Sequence, residues 1–456
     1  MKNRGYDLTQ GSILSKLLLI AAPVMATQLF QMAYNLIDMF FLGRISSDAV
    51  AAAGSAGMYI WLSVAFFIIG SMGAEIGVSQ NMGRGDVSIA KKYAQNALLV
   101  AIVLGTMFAV FVLVFSDFLI SLIQLREVEV AQDAVLYLMI VGASFPFLFV
   151  NNAITGIFNG LGNSKFPFYV KSIGLIFNVI ISPIFIFTME LGIAGAAIAT
   201  SIGYTVTGLL LLLSLKHRKF CPFEDFSFKD VFKPNWEIIK QIFKWSLPVS
   251  IESASFTMLT MIIVGFVAGF GADALAAQRV ATQIESLTWL IGGGYAAAFT
   301  SFIGQNYGAK RWDRIKEGFM ISAVVKSIWG FAVGIIMFFG GEWIFRLFID
   351  EPEIVAIGVS YMRIIAIVQI PACMEALSAG AFRGVGKTLP PSIVSTVFNA
   401  LRVVVAFWLS RTALGLDGIW IGIAFGNLMR GVVLSIWYVI SSKCSGSDEL
   451  LEDYNE

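Results

Sequence analysis

Charge is what this chain has least of. Its 456 residues carry 31 basic and 30 acidic side chains, together 13% of the sequence, about half the ~25% typical of a soluble domain. A soluble protein of this length covers its surface with polar groups, and there are too few here. That excludes a soluble enzyme, a disordered chain, a coiled coil and an ordinary nucleic-acid binder. Histidine occurs once, at His217, which leaves little scope for a His-based metal site or proton relay. Cysteine occurs at Cys221, Cys373 and Cys444 only, far apart, so neither a disulfide framework nor a zinc site is implied. Net charge is +1, and no global field recruits an acidic partner. GxxxxGK[ST], HExxH and GxSxG are all missing, which argues against an ATP-driven pump and against the common hydrolases. No short apolar segment with a small-residue cleavage site follows Lys2 and Arg4, so the first apolar stretch reads as a retained span.

What is present is apolar. Hydrophobic residues make up 57% of the chain and mean hydropathy is +0.80. At about 20 residues per span, this allows about a dozen membrane crossings. Spans are expected near 14–42, 50–80, 89–116, 131–158, 166–189, 192–215, 237–270, 275–304, 314–345, 354–382, 389–410 and 415–440. An even number places both termini on one side. The N-terminus, the loops after even-numbered spans, the central connector and Lys443 hold twenty Lys and Arg. The opposite loops hold only Arg44, Arg126, Arg346 and Arg411. The asymmetry predicts cytoplasmic termini and, with no organellar signal, a plasma membrane. Residues 216–235 divide a first lobe, 1–215, from a second, 236–442. Residues 443–456 read as an acidic disordered tail.

The chain repeats itself. Pro23, Asp48–Ala52, Val78–Gly83 and Pro146 return 225 residues later at Pro248, Asp273–Ala277, Ile303–Gly308 and Pro371. Gly160-Leu161-Gly162 returns as Gly384-Val385-Gly386, and Leu191–Gly195 as Leu414–Gly418. Six collinear matches indicate duplication. Each unit holds six spans, so the repeat is parallel. The fold expected is an all-α polytopic membrane protein of twelve helices in two parallel, pseudo-symmetric bundles, with a substrate path between them.

Polar groups at bilayer depth are the candidate site, because a charge there is costly. Gln28, Gln31, Asn35 and Asp38 fall on one face of span 1, with Pro23 as a candidate hinge. Asn152, Thr155 and Asn159 stripe span 4. Asn178 and Ser182 sit one turn apart before Pro183, and Thr200 follows in span 6. Such groups suit a small cation or a carboxyl that binds and releases a proton; amides and hydroxyls also serve as glue between helices. Glu75 lies late in span 2. The second half offers Glu252, Glu285 and Glu375 as substrate or ion groups, with Arg402 able to pair a carboxylate. Structural ion pairs are the competing reading for Glu285 and Glu375. Lys171, Lys326, Arg363 and Arg430 are placed near span ends, where long side chains reach the interface.

Across roughly residues 12–440 these features resemble the multidrug and toxic compound extrusion (MATE) family, closest to its DinF-like branch. The Val78–Gly83 and Gly304–Gly308 pair, the Asn159–Ser164 and Arg383–Thr388 pair, and Gly271–Glu285 carry the resemblance. It implies a V-shaped arrangement of two six-helix lobes and export of organic, often cationic amphipathic compounds in exchange for H+ or Na+. By position it implies coupling-ion roles for Asp38, Asn178 and Thr200, with Na+ possible at Asp38. Ser182 stands where that branch commonly has a second aspartate, which halves the carboxylate charge and weakens a sodium cage. Glu252 and Glu375 are shifted from the acidic positions of the family's other large branch. No cofactor beyond the coupling ion is implied, and the partners expected are small organic molecules and lipid, with the chain acting as a monomer. The alternative is a flippase for lipid-linked sugars from the related polysaccharide-export branch.

Overall fold

The computed structural model describes residues 7–125, 127–217, 220–223 and 226–444. Lys2, Arg4, Arg126, Arg218, Lys219 and all but the first two residues of the acidic tail lie outside them. Every regular element among the described residues is helical. The first half runs α1 (Ile13–Gly43), α2 (Ser47–Arg84), α3 (Val87–Ser121), α4 (Val128–Ala143), α5 (Phe145–Gly160), α6 (Lys165–Pro183) and α7 (Gly192–Leu215). A short α8 (Phe228–Val231) lies in the connector. The second half runs α9 (Trp236–Ala268), α10 (Ala272–Gly308), α11 (Trp312–Arg346), α12 (Pro352–Ala366), α13 (Gln369–Gly384), α14 (Leu389–Ser410) and α15 (Gly415–Cys444). Ten helices are long and apolar enough to cross a membrane, twelve spans if each bent pair counts as one.

The spans expected at 131–158 and 354–382 are these bent pairs. α4 and α5 meet at 49°, and α12 and α13 at 54°. The cause is in the sequence: Pro146 and Pro371 sit in the first turns of α5 and α13. Proline lacks the N–H that would bond back across the break, and its ring clashes with the preceding turn. Pro183 acts similarly in span 5, where the helix passes into a π-helical turn at Ile184–Thr188 and Met189 N–H reaches Ile184 O at 2.9 Å.

The duplication extends to backbone geometry. α2 ends with Gly85 at φ 80°, and its repeat α10 ends with Lys310 at φ 55°. In each, the next N–H bonds back five residues: Asp86 to Asn81 O at 2.9 Å, and Arg311 to Asn306 O at 2.8 Å. This is the Schellman arrangement, which satisfies the last helical carbonyls through one left-handed residue. Gly162 at φ 78° and Gly386 at φ 84° close α5 and α13 in the same way. Three of these four positions have the glycine that the conformation favours, and Lys310 does not.

Buried apolar residues form four clusters, two near the face holding the chain termini and two near the far face. The termini-face clusters cross the sequence halves: Ile238 and Ile242 of α9 pack with the first half, Leu17 and Ile20 of α1 with the second. The connector joins in through Cys221, Phe223, Phe226 and Val231, all buried.

At the termini face the two halves are joined by crossed hydrogen bonds between repeat-equivalent groups. Gln80 of α2 donates to Gly384 O, and Gln305 of α10 donates to Gly160 O, each at 3.0 Å. Ser301 of α10 donates to Glu75 of α2 at 2.9 Å. The backbones touch because Gly83 and Gly308 lack side chains: a Cβ on Gly83 would fall on Gln305 O, and one on Gly308 on Gln80 O. The N-terminal segment is tied to the same place, with Leu8 N–H donating to Gln305 at 3.0 Å and Arg314 to Leu8 O at 3.3 Å.

Two outcomes are expected. Lys310→Gly removes the left-handed strain and raises stability by about 0.5–1 kcal/mol, seen as a higher melting temperature in detergent; an unchanged or lower value counts against it. Replacing both Gln80 and Gln305 by Ala leaves two carbonyls unpaired, at about 1–3 kcal/mol each. Spin labels at Arg84→Cys and Lys310→Cys, with native cysteines removed, should then report a longer-distance population that the parent lacks.

Candidate functional site

Asp38 lies one turn beyond Tyr34 and two beyond Gln31 on α1. Its carboxylate meets groups from two other helices. The Tyr137 side chain of α4 stands close to Asp38 and to Thr200 of α7. Tyr34 and Thr200 join hydroxyls at 2.8 Å, and Tyr204 of α7 stands within electrostatic reach of the carboxylate. Asp38 Oδ1 is buried with no hydrogen-bond partner among the described residues. A buried carboxylate oxygen left this way is costly while ionised, so it is poised to take a proton or a cation.

Beside this cage lies a cavity of about 100 Å³, walled in part by Gln31, Tyr34, Asn152, Asn178 and Thr200. Asn178 is buried, and its Nδ2 has no partner. Ser182, also buried, donates its hydroxyl to Asn178 Oδ1 at 3.1 Å. Asn152 donates to Leu148 O at 2.8 Å, one turn back. The structure thus brings Asp38, Asn178, Ser182, Thr200, Gln31 and Asn152 into one region. Asn35 is exposed and outside the cavity wall, and Asn159 is buried beside Gly160 at the seam between halves. Pro23 sits inside an unbroken α1, where Thr27 Oγ1 donates to its carbonyl at 2.9 Å.

Sequence reasoning missed four residues here. Tyr34 shares the face of Gln31 and Asp38, so helical spacing could have flagged it. Tyr137 and Tyr204 arrive from other helices and carry no local signal. Lys171, expected near a span end and given no chemistry, lines the cavity and is half-buried. It precedes Gly174 and Asn178 at spacings of three and four, which puts all three on one face. For a sodium ion the donors present are one carboxylate, Thr200 and phenol oxygens. Among the described residues no group of three or more His, Cys, Asp or Glu side chains is placed to hold a metal.

In the second half the carboxylates are paired. Glu252 takes Arg383 at 3.2 Å and the Ser392 hydroxyl at 2.9 Å. Glu375 takes Arg430 at 3.2 Å and the Ser395 hydroxyl at 3.2 Å. Glu285, 1% exposed, accepts from the Tyr361 hydroxyl at 2.6 Å, while its other oxygen has no partner. Arg402 donates to Thr260 at 2.7 Å, lies over the Phe256 ring, and is within electrostatic reach of Glu285 and Glu375. Arg430 and Lys326 correct the span-end placement. Arg430 falls midway along α15, and Lys326, 2% exposed, donates to Gly292 O at 2.9 Å. Three acids against three arginines make this cluster close to neutral.

Comparison with known proteins agrees with this architecture. The MatE family model matches residues 23–184 and again 248–408, one match in each half of the duplication and together more than half of the chain. A probable multidrug resistance protein NorM of Thermotoga maritima is 27% identical, covering 94% of this chain and 93% of its own. A protein of Shewanella oneidensis named an FAD transporter is 24% identical over 97% of this chain and 98% of its own. The outward-facing structure of a multidrug resistance MATE family transporter superposes with a TM-score of 0.91 at 23% identity, over 98% of this chain and 100% of the other. A twice-matched family model, relatives aligned end to end and a shared twelve-span fold place this chain in the MATE family of transporters.

Proposed function

We propose that the chain is an antiporter that exports organic amphiphiles, cationic ones among them, in exchange for H+. The observation that carries this reading is Asp38 Oδ1, a buried acceptor without a partner inside a cage of tyrosine hydroxyls. Protonation removes the buried charge and turns the oxygen into an O–H donor, at no cost in space. Ser182 supports the proton over sodium, because its hydroxyl is engaged with Asn178 and brings no second charge. Sodium is the second reading, favoured by the oxygen-rich surroundings of Asp38 and Thr200. Names of relatives support drug extrusion, and the FAD transporter among them widens the range of cargo to consider. The flippase alternative needs several cations for a pyrophosphate, and the cavity wall holds one.

The basic bias of the termini face supports a plasma-membrane protein with cytoplasmic termini. The halves at 1–215 and 236–442 act as the two moving bodies of a monomer. Binding at Asp38 biases them only if the outward- and inward-open states differ in affinity for the ion. In the structure the seam at the termini face is closed, and α1, which carries both Asp38 and Pro23, is the element through which ion binding would be felt. The paired carboxylates Glu252 and Glu375 hold the second half together. Glu285, with one free oxygen, is the remaining candidate for a second ion or substrate contact there.

Asp38→Asn should leave the fold intact and reduce efflux from proteoliposomes to the level of empty vesicles. Under wild type a pure pH gradient should drive efflux and a pure sodium gradient should not. Unaltered efflux by the mutant sinks the assignment, and sodium-only driving replaces the proton. Arg430→Ala leaves Glu375 uncompensated and should cost about 3–5 kcal/mol of stability. Adding Glu375→Leu should recover most of that loss, read as melting temperature in detergent; no recovery means Arg430 acts through something other than the ion pair.

A further inference from the structure

The first-half cavity contains a charge that the proton cycle does not use. Lys171, on α6, lines the wall and makes no hydrogen bond or ion pair among the described residues. The other deep cations differ. Arg383 and Arg430 hold carboxylates, Arg402 holds Thr260, and Lys326 holds Gly292 O. No acidic residue lines this cavity, so its wall carries one positive charge. About two turns further along the same face, Asn178 Nδ2 is a second donor, buried and without a partner among the described residues. An ammonium and an amide N–H on one wall lack an acceptor. An ionisable group held at membrane depth without a protein partner points to a ligand as its partner.

We propose that Lys171 and Asn178 form a subsite for the anionic group, a carboxylate or phosphate, of an exported amphiphile. The space agrees. A cavity of about 100 Å³ that opens on one side has room for a head group, with the rest of an amphiphile outside it. Asn151 Oδ1, also without a partner, is an acceptor in the same wall for a hydroxyl or N–H next to the anionic group. This subsite rests on the export reading and deepens it: Asp38 takes the coupling ion, and Lys171 selects cargo.

Fluorescein and rhodamine 6G share a xanthene ring and differ in charge. Their binding to the full chain in phosphatidylcholine nanodiscs is followed by fluorescence polarisation. Fluorescein should bind the wild type. Lys171→Gln should weaken it about tenfold or more, as loss of a charged hydrogen bond does, with rhodamine 6G unaffected and the melting temperature kept. Lys171→Arg should restore fluorescein. Absence of fluorescein binding, or equal loss of both dyes, overturns the proposal. So does Lys171-dependent displacement of fluorescein by added phosphatidylglycerol, which would make the wall a lipid site. None of these readings needs an ion gradient, so failed efflux with fluorescein binding intact would count against the antiport reading alone.

Discussion

Hydrocarbon offers no hydrogen bonds, and that constraint organises everything polar in this protein. Each deep donor or acceptor must find its partner within the chain. Most do. Glu252 meets Arg383, Glu375 meets Arg430, Glu285 meets Tyr361, and Lys326 meets a backbone carbonyl. Set against so many satisfied groups, the exceptions stand out. Asp38 keeps one oxygen without a partner, and Lys171, in the wall of the cavity beside it, makes no hydrogen bond or ion pair among the described residues. In the second half Glu252 and Glu375 are each neutralised by an arginine, whereas Asp38 has no cationic partner among the described residues.

The same constraint shapes the seam. Two glycines let α2 and α10 touch backbone to backbone, and two glutamines reach across to carbonyls at the ends of α13 and α5. Because the pairs are repeat equivalents, one mutation in the ancestral unit would have altered both sides of the contact. Glu75 adds a carboxylate at this junction, held by Ser301 from the opposite half. Movement of the halves has to part these groups together.

Much of this was legible in the sequence. The twelve crossings follow from hydropathy, and the repeat from spacing. The breaks within spans 4 and 10 were not, because hydropathy is blind to backbone direction, although Pro146 and Pro371 marked both places. Asp38, Asn178 and Thr200 were singled out, and they do lie around one region. Their tyrosine partners were not, since Tyr137 and Tyr204 reach Asp38 only through tertiary packing. Arg430 was misplaced because position along a helix was judged from an assumed span end. Glu252 and Glu375 were identified as deep acids, yet their sequence neighbours gave no hint that arginines from other spans would neutralise them.

Ser182 has one more consequence. With its hydroxyl on Asn178, Ser182 leaves Asp38 as the one carboxylate at the proposed coupling site. On the antiport reading, one carboxylate there would take at most one ion per cycle. A membrane voltage supplies about 2.3 kcal/mol per elementary charge per 100 mV. For an uncharged cargo exchanged one for one, that voltage alone sustains roughly a fiftyfold gradient per 100 mV. On the antiport reading, the serine would set the gearing: a low ratio, limited in the steepness it can hold.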